Sequence, residues 1–129
     1  MKKNFNVIIC GSRDFENYEL LKEKCNNILS RKLIDPDTKV VIVSGCARGA
    51  DSLGERYAAE IGLEVLKYPA DWDKYGKKAG YLRNKQMAEV SNAVIAFLVP
   101  DENKNKGTKN MVSLAKLSKL LVREITDNE

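Results

Sequence analysis

Five short apolar runs alternate along the chain with four segments of helical periodicity. The apolar runs are rich in Val, Ile and Leu and cover residues 5–10, 39–43, 64–68, 93–99 and 120–125. The first helical segment repeats apolar residues every three or four positions at Tyr18, Leu21, Cys25, Ile28 and Leu29, and the second at Leu53, Tyr57 and Ile61. Two further helices are predicted at about 79–91 and 108–119. This alternating order predicts an α/β fold with a five-stranded parallel sheet.

The apolar runs are apolar at successive positions instead of at every second one. "VVIV" and "AVIAFLV" have this pattern, which is typical of strands buried on both faces. The pattern predicts a three-layer sandwich with helices on both sides of the sheet. Right-handed crossovers would then bring every strand-to-helix loop to one edge, where such folds bind ligands at the point at which the strand order reverses.

Length and composition predict a single domain spanning residues 1–129. Apolar residues make up 43% of the chain and charged residues 31%, which is ordinary for a soluble globular protein. The apolar run near the N-terminus is short and lacks a small-residue cleavage site, so a first strand is favoured over a signal peptide. We therefore expect a cytoplasmic protein that does not associate with a membrane.

The residue types present exclude several kinds of chemistry. The chain contains no histidine, so a Ser-His-Asp triad, a Cys-His dyad and a His-ligated metal centre are excluded. Cys10, Cys25 and Cys46 form no Cys-x-x-Cys pair, and reduced, buried thiols are expected. No metal site and no cofactor are predicted.

The net charge of +4 suits an anionic partner, but the signal is weak. Lysines and arginines are spread along the whole chain, and no stripe of basic and aromatic residues appears. A solvated basic surface is therefore favoured over a nucleic-acid interface.

The predicted strand-to-helix loops carry the residues typical of a binding site. They are "GSRD" (11–14), "SGCARGAD" (44–51), the long segment 69–84 and "KGTKN" (106–110). Glycines allow a ligand to approach the backbone, and the N–H groups at a helix N-terminus bind anions. Gly45 and Gly49 are expected to shape a phosphate-binding turn to which Arg48 adds positive charge. A tight turn that only packs a helix against the sheet is an equally good interpretation of this loop.

Single residues in these loops allow more than one role. For Asp51, an N-cap of the second helix is favoured over catalysis. Arg83 shares a helical stripe with Met87 and Val90, so it should point toward the sheet and meet an anion: Asp14, Asp51 or a ligand phosphate. A solvated surface arginine is the less favoured alternative. Trp72 and Tyr75 could form an apolar wall for a base or pack on each other, and Asn84 could bind a ribose or a base.

Four ordered motifs together resemble a known family. "GSRDF", "SGCARGADSLGERYA", "PADWDKYGKKAGYLRNKQM" and "GTKNM" resemble the YspA-like branch of the SLOG superfamily, the group that also contains the DNA-processing protein A and the LOG phosphoribohydrolases. The resemblance extends from Val7 to about Leu117. It implies a Rossmann-like domain that binds a nucleotide or a nucleotide-derived ligand of the ADP-ribose type, as a sensor in bacterial or phage conflict. LOG-like relatives often pair through helices, so the resemblance also implies a homodimer.

The fourth motif departs from the LOG pattern. LOG enzymes cleave the N-glycosidic bond of a nucleoside monophosphate with an arginine and with the glutamate of Pro-Gly-Gly-x-Gly-Thr-x-x-Glu. Pro100, Gly107 and Thr108 match this pattern loosely, whereas the glutamate position is Met111. A lysine- and asparagine-rich stretch replaces the paired glycines.

Two functions of different classes follow, and binding is favoured over catalysis. A binding module would use Gly11, Ser12, Arg13, Ser44, Gly45, Arg48, Gly49, Asp51, Trp72, Arg83, Asn84, Gly107 and Thr108. An N-glycosidase would need a carboxylate, for which the candidates are Asp14, Asp51, Glu55 and Asp71, with Asp14 as the first choice. DNA binding by analogy with the DNA-processing protein rests on fold alone and is the weakest of the alternatives.

Overall fold

The structure is a computed structural model that describes residues 2–128. Its strands are β1 (Lys3–Gly11), β2 (Thr38–Ser44), β3 (Glu64–Lys67), β4 (Ala93–Leu98) and β5 (Leu121–Thr126). Its α-helices are α1 (Tyr18–Ile34), α2 (Ala50–Ile61), α3 (Trp72–Tyr75), α4 (Ala79–Val90) and α5 (Lys106–Leu117), with single 3-10 turns at Gly76–Lys78 and Glu102–Lys104. The predicted α/β order is confirmed.

The five strands form one parallel sheet in the order β3-β2-β1-β4-β5. Val7 of β1 pairs with Ile42 of β2 on one side and with Ala93 of β4 on the other. The chain thus builds the sheet outward from β1 in one direction and then returns to β1 to extend it in the other. The strand order reverses between β1 and β4, where a crevice opens at the carboxyl edge of such sheets.

Helices cover both faces of the sheet. The odd residues of β1, Val7 and Ile9, pack in a core with α1 and α2, where Leu21 and Tyr57 are fully buried. The even residues Ile8 and Cys10 pack in a second core with Met87 of α4 and with Met111, Val112 and Ala115 of α5. Since successive residues of a strand point to opposite faces, apolar side chains at every position are what two cores require. The Rossmann-like three-layer sandwich is confirmed.

The long loop before α4 contains a helix that the sequence analysis did not predict. Trp72–Tyr75 forms one turn, and Asp71 caps it by accepting a hydrogen bond from the Lys74 N–H at 3.1 Å. Asp71 therefore has a structural role at this helix start. Among residues 2–128, every helix falls short of the length and apolar character that a bilayer crossing requires.

Candidate functional site

A cavity of about 400 Å³ opens at the carboxyl edge of the sheet, where the strand order reverses. We call it the main cavity. All four strand-to-helix loops contribute to it, together with the first turns of α4 and α5. Its lining comprises Cys10, Gly11, Ser12, Arg13, Asp14, Ala47, Arg48, Asp51, Trp72, Lys77, Gly80, Tyr81, Arg83, Asn84, Met87, Asn103, Lys104, Lys106, Gly107, Thr108 and Met111. The volume is within the range of small-molecule sites.

The main cavity is strongly cationic. Within the described part of the chain, six basic side chains line it, against two carboxylates, those of Asp14 and Asp51. The basic side chains are Arg13, Arg48, Lys77, Arg83, Lys104 and Lys106. Two aromatic side chains, Trp72 and Tyr81, also line the cavity and are about half exposed. Such a lining can hold a multiply charged anion that carries a flat or apolar group.

The first loop is pressed between β4 and α2. A Cβ at Gly11 would lie 2.1 Å from the Phe97 carbonyl oxygen and 2.6 Å from the Ala50 Cβ, so a side chain has no room there. The next residue, Ser12, donates its N–H to the Phe97 carbonyl at 3.0 Å and accepts from the Ala50 N–H at 3.2 Å. The Ser12 hydroxyl accepts from the Asp14 N–H at 3.1 Å. These bonds fix Arg13 and Asp14 at the cavity wall.

The second loop enters α2 through Gly49, which has a φ of +80°. A Cβ at this residue would lie 2.4 Å from the Ser12 carbonyl oxygen, so the close contact of the two loops requires glycine. Gly49 is also the N-cap, and no side chain caps α2. The predicted N-cap role of Asp51 is therefore wrong, because the glycine lets the helix begin before Asp51. The Asp51 carboxylate instead turns back and accepts from the Ala47 N–H at 3.2 Å.

Asp51 is a buried carboxyl group in the cavity wall, with 5% of its surface exposed. Burial raises the pKa of Asp51 to about 6, although the Ala47 hydrogen bond and the positive charge of Arg83 act in the opposite direction. A carboxyl group with this pKa exchanges a proton near neutral pH, as general acids and bases do. Unlike the buried Asp51 side chain, the Asp14 carboxylate is about half exposed, and it lies 3.9 Å from the Arg48 guanidinium.

Arg83 of α4 points toward the sheet, as its helical position predicts. Its guanidinium donates to the Gly45 carbonyl and, at 3.0 Å, to the side-chain oxygen of Asn84. A Cβ at Gly45 would lie 2.6 Å from Arg83 Nη1 and 2.8 Å from Asp51 Oδ2. Of the anions considered for Arg83 within the protein, Asp51 is the carboxylate whose pKa it lowers. The absent side chain of Gly45 lets these two charged groups converge.

Asn84 joins α4 to the start of α5. Its amide nitrogen donates to the Gly107 carbonyl at 3.3 Å and to the Asn110 side chain at 3.0 Å, while its oxygen accepts from Arg83. These hydrogen bonds tie the buried side chain to both helices. It therefore holds the cavity walls together, and because it also lines the main cavity, its binding of a ribose or a base stays a prediction.

The third loop contributes Trp72 but not Tyr75 to the cavity wall. Trp72 packs near α4, where a Cβ at Gly80 would lie 3.3 Å from its ring. The Arg13 guanidinium lies 5.9 Å from the centroid of that ring, within cation–π range. Tyr75 is 45% exposed and lines neither of the cavities described here. Tyr81 of α4, and not Tyr75, provides the second aromatic side chain of the cavity wall.

The fourth loop is held in place by Asn105. Its buried side chain accepts from the Val99 N–H at 3.1 Å and donates to the Val99 carbonyl at 2.7 Å. Because the Asn105 side chain is hydrogen-bonded to the Val99 main chain, it does not cap α5. Gly107 and Thr108, in the first turn of α5, line the main cavity, and a Cβ at Gly107 would meet no atom within 4 Å.

Several residues predicted for the site lie behind or beside the main cavity. Buried Ser44 donates its hydroxyl to Glu55 at 2.6 Å, and the Glu55 carboxylate lies 3.6 Å from Lys67. Glu55, proposed as catalytic, lines neither cavity. Ser44, Gly45 and Gly49 support the loops from outside the main cavity. Cys46 is exposed, so the expectation of three buried thiols is wrong for this residue and confirmed for Cys10 and Cys25.

Some lining residues were missed by the sequence analysis. They include Lys77, Tyr81, Lys104 and Lys106. The "KYGKKAGY" and "NKNKGT" stretches contained the signal, since lysines there flank the starts of helices at the binding edge. Among residues 2–128, no group of three His, Cys, Asp or Glu side chains is arranged to hold a metal ion.

Comparison with known proteins identifies the family. The model of the YspA, cpYpsA-related SLOG family matches residues 5–75, which is more than half of the chain. The chain belongs to this SLOG family. The matched range includes the first two loops and Trp72 of the third, whereas the GTKNM motif lies outside it.

A curated relative supports the SLOG assignment. The Gene 61 protein of Mycobacterium phage D29 is 34% identical in a match covering 70% of this chain and 74% of the phage protein. No solved structure shows a significant match to this SLOG protein.

Proposed function

We propose that the main cavity binds a nucleotide or a nucleotide-derived ligand, such as an ADP-ribose-like molecule or a nucleoside phosphate. The observation that carries the proposal is the convergence of six basic side chains on one concave site at the β1/β4 crevice. A phosphate group matches these charges, and the open first turn of α5 supplies main-chain N–H groups at Gly107 and Thr108.

The apolar part of the lining supports the same ligand class. Trp72 and Tyr81 present aromatic surface at the cavity mouth, and Met87 and Met111 form part of its floor. A purine ring and a ribose bury apolar surface against such groups, whereas inorganic phosphate does not. Membership of the SLOG family favours the same interpretation. Such a binder would act as a sensor of a nucleotide-derived signal.

Binding without chemistry is favoured over LOG-type hydrolysis because of Met111. This residue occupies the position of the LOG glutamate, lines the cavity and is 1% exposed. A methionine thioether supplies neither a proton nor a negative charge. The LOG carboxylate is therefore replaced by an apolar group at this point of the wall.

Native mass spectrometry of the purified protein tests the proposal. We expect a co-purifying nucleotide, released by heat, or stoichiometric binding of added AMP, ADP or ADP-ribose. The Arg31→Ala variant, which removes a surface arginine from the last turn of α1, should bind equally well. Absence of any nucleotide complex with millimolar ligand would contradict the proposal.

Asp51 favours a second candidate function, an N-glycosidase. Its carboxyl group lines the cavity, is buried and has a pKa of about 6. In such a reaction the N-glycosidic bond at the anomeric carbon would break as a protonated Asp51 donates its proton to the departing base. A water oxygen would bond to the anomeric carbon, and the proton that this water loses would return to the Asp51 carboxylate. The products are the free base and the sugar phosphate.

Chromatography of overnight incubations with nucleoside monophosphates separates the two candidates. If the protein only binds, every nucleotide is recovered intact. Release of free base by the wild type and by Asp14→Asn, but not by Asp51→Asn, would establish the glycosidase and assign the acid to Asp51. Release of free base by the wild type and by Asp51→Asn, but not by Asp14→Asn, would assign the general acid to Asp14, the first choice from the sequence.

A further inference from the structure

A second cavity of about 170 Å³ adjoins the main one. We call it the side cavity. Five residues line both cavities and so form their common boundary: the large side chains of Arg13, Arg48, Trp72 and Arg83, together with the small Ala47. Beyond this boundary the side cavity is bounded by small or apolar residues of the second and third loops, including Cys46, Pro69 and Ala70.

The side cavity is too small to serve as an independent ligand site. Ligand pockets usually measure about 300–1,000 Å³, and this one is roughly half the lower limit. Its volume suits a single ring or a pentose. Its position beside the main cavity makes it an extension of the same site.

The positive charge between the two cavities indicates which chemical group would connect a ligand part in the main cavity to one in the side cavity. Three arginines line both cavities, whereas the carboxylates of Asp14 and Asp51 line the main cavity alone. Two linked phosphates at this boundary would meet all three guanidinium groups, which bind phosphate oxygens in pairs of hydrogen bonds. An uncharged group would follow in the side cavity, since no carboxylate of residues 2–128 lines it.

We propose that the side cavity is a subsite for a second, smaller group of the same ligand. The ligand class is therefore a nucleoside diphosphate esterified through its terminal phosphate to an uncharged group of pentose or single-ring size. This inference rests on the proposed function and narrows it. A nucleoside monophosphate would occupy the main cavity alone.

Cys46 provides a native reporter of the side cavity. It lines the side cavity but not the main one, and it is the exposed cysteine, whereas Cys10 and Cys25 are buried. Partial desolvation of its sulfur raises the pKa of the Cys46 thiol, so a maleimide at mildly alkaline pH is a suitable reagent. Peptide mass spectrometry would follow alkylation at each cysteine, with Cys46→Ser as the control for the modified site.

The experiment compares AMP, ADP and ADP-ribose as protecting ligands. At ten times its Kd, ADP-ribose should slow alkylation of Cys46 about ten-fold, because only the free fraction reacts. AMP and ADP at the same saturation should leave the rate nearly unchanged. Equal protection by AMP and ADP-ribose, or protection by none of the bound ligands, would overturn the two-part site.

Ala70→Leu tests the same point by filling the side cavity. We expect the variant to lose ADP-ribose affinity about ten-fold, with AMP affinity unchanged, since it alters no residue of the main cavity. ADP-ribose binding of equal strength to both proteins would overturn the inference while leaving the proposed function intact. Failure of all three nucleotides to bind the wild type would overturn both.

Discussion

Arg83 donates a hydrogen bond to the main-chain carbonyl of Gly45, which lies 38 positions earlier in the chain. The contact joins the second loop, next to α2, to α4 on the opposite face of the sheet. The part of the Arg83 guanidinium that does not contact Gly45 lines the boundary between the two cavities. Arg83 is therefore positioned by the protein before any ligand arrives, which reduces the entropic cost of ordering it upon binding.

Replacing Arg83 should weaken nucleotide binding. A charge-assisted hydrogen bond contributes about 1.5–3 kcal/mol, so Arg83→Ala is expected to raise the Kd of ADP roughly ten-fold or more. Isothermal titration calorimetry measures the change, with Arg31→Ala as the matched surface control. A folded Arg83→Ala protein with wild-type affinity would remove Arg83 from the binding site.

Gly45→Ala should disturb the site indirectly. The new methyl group would overlap Arg83 Nη1 and Asp51 Oδ2, which lie 2.6 and 2.8 Å from the Cβ position. We expect a loss of stability of about 1–3 kcal/mol from overpacking, together with weaker ADP binding.

Gly62→Ala is the matched control for Gly45→Ala. Gly62 follows α2 at its C-terminal end with a φ of +78°, lines neither cavity, and a Cβ there would meet no atom within 4 Å. Alanine at this left-handed position costs about 1–2 kcal/mol of stability without touching the site. Equal loss of affinity in both variants would mean that general destabilisation, and not displacement of Arg83, is responsible.

Gly107→Ala separates stability from binding. Gly107 lies in the first turn of α5, its φ requires no glycine, and a Cβ there is unobstructed within the protein. Alanine in a helix is favoured over glycine by about 1 kcal/mol at most, so the melting temperature should stay constant or rise. If the glycine allows a phosphate to approach the helix, ADP affinity should fall. Unchanged affinity would show that the ligand does not contact this turn.

Asp51 should make stability depend on pH in an unusual direction. Its folded pKa of about 6 lies above the unfolded value of about 3.9, so the folded state binds the proton more tightly. Its stabilising contribution is complete below about pH 4 and is lost as the pH rises to about 6, by an amount on the order of 2–3 kcal/mol.

Urea unfolding of the wild type and Asp51→Asn between pH 4 and pH 7 measures this contribution. The difference in unfolding free energy should move in favour of Asp51→Asn as the pH rises, since asparagine carries no charge to bury. The Asp14→Asn variant, altered at a half-exposed carboxylate, is the control. A constant difference across this range would show that Asp51 keeps an ordinary pKa.

The fold follows from local patterns, because a strand apolar at every position has to be buried on both faces. The runs at 5–10 and 93–99 correspond to β1 and β4 within one residue at their ends, apart from the earlier start of β1. The strand order was not predictable, since it depends on which crossovers pack best. The binding edge was therefore predictable as a region, but the β1/β4 crevice was not.

The errors within the site arise from backbone geometry that residue types do not reveal. A positive φ at Gly49 starts α2 early and frees Asp51 from capping. Asp71 starts a one-turn helix inside a stretch without apolar periodicity, and this turn places Trp72 at the cavity.

The pairing of two copies of the chain through their helices stays a prediction.

Calorimetric titration of the wild-type protein with ADP-ribose tests the central claim most directly. The account predicts saturable binding of one ligand per chain, with affinity that falls roughly ten-fold or more in Arg83→Ala and is unchanged in Arg31→Ala. Absence of binding heat at several temperatures, with no melting-temperature shift from millimolar AMP, ADP or ADP-ribose, would contradict it.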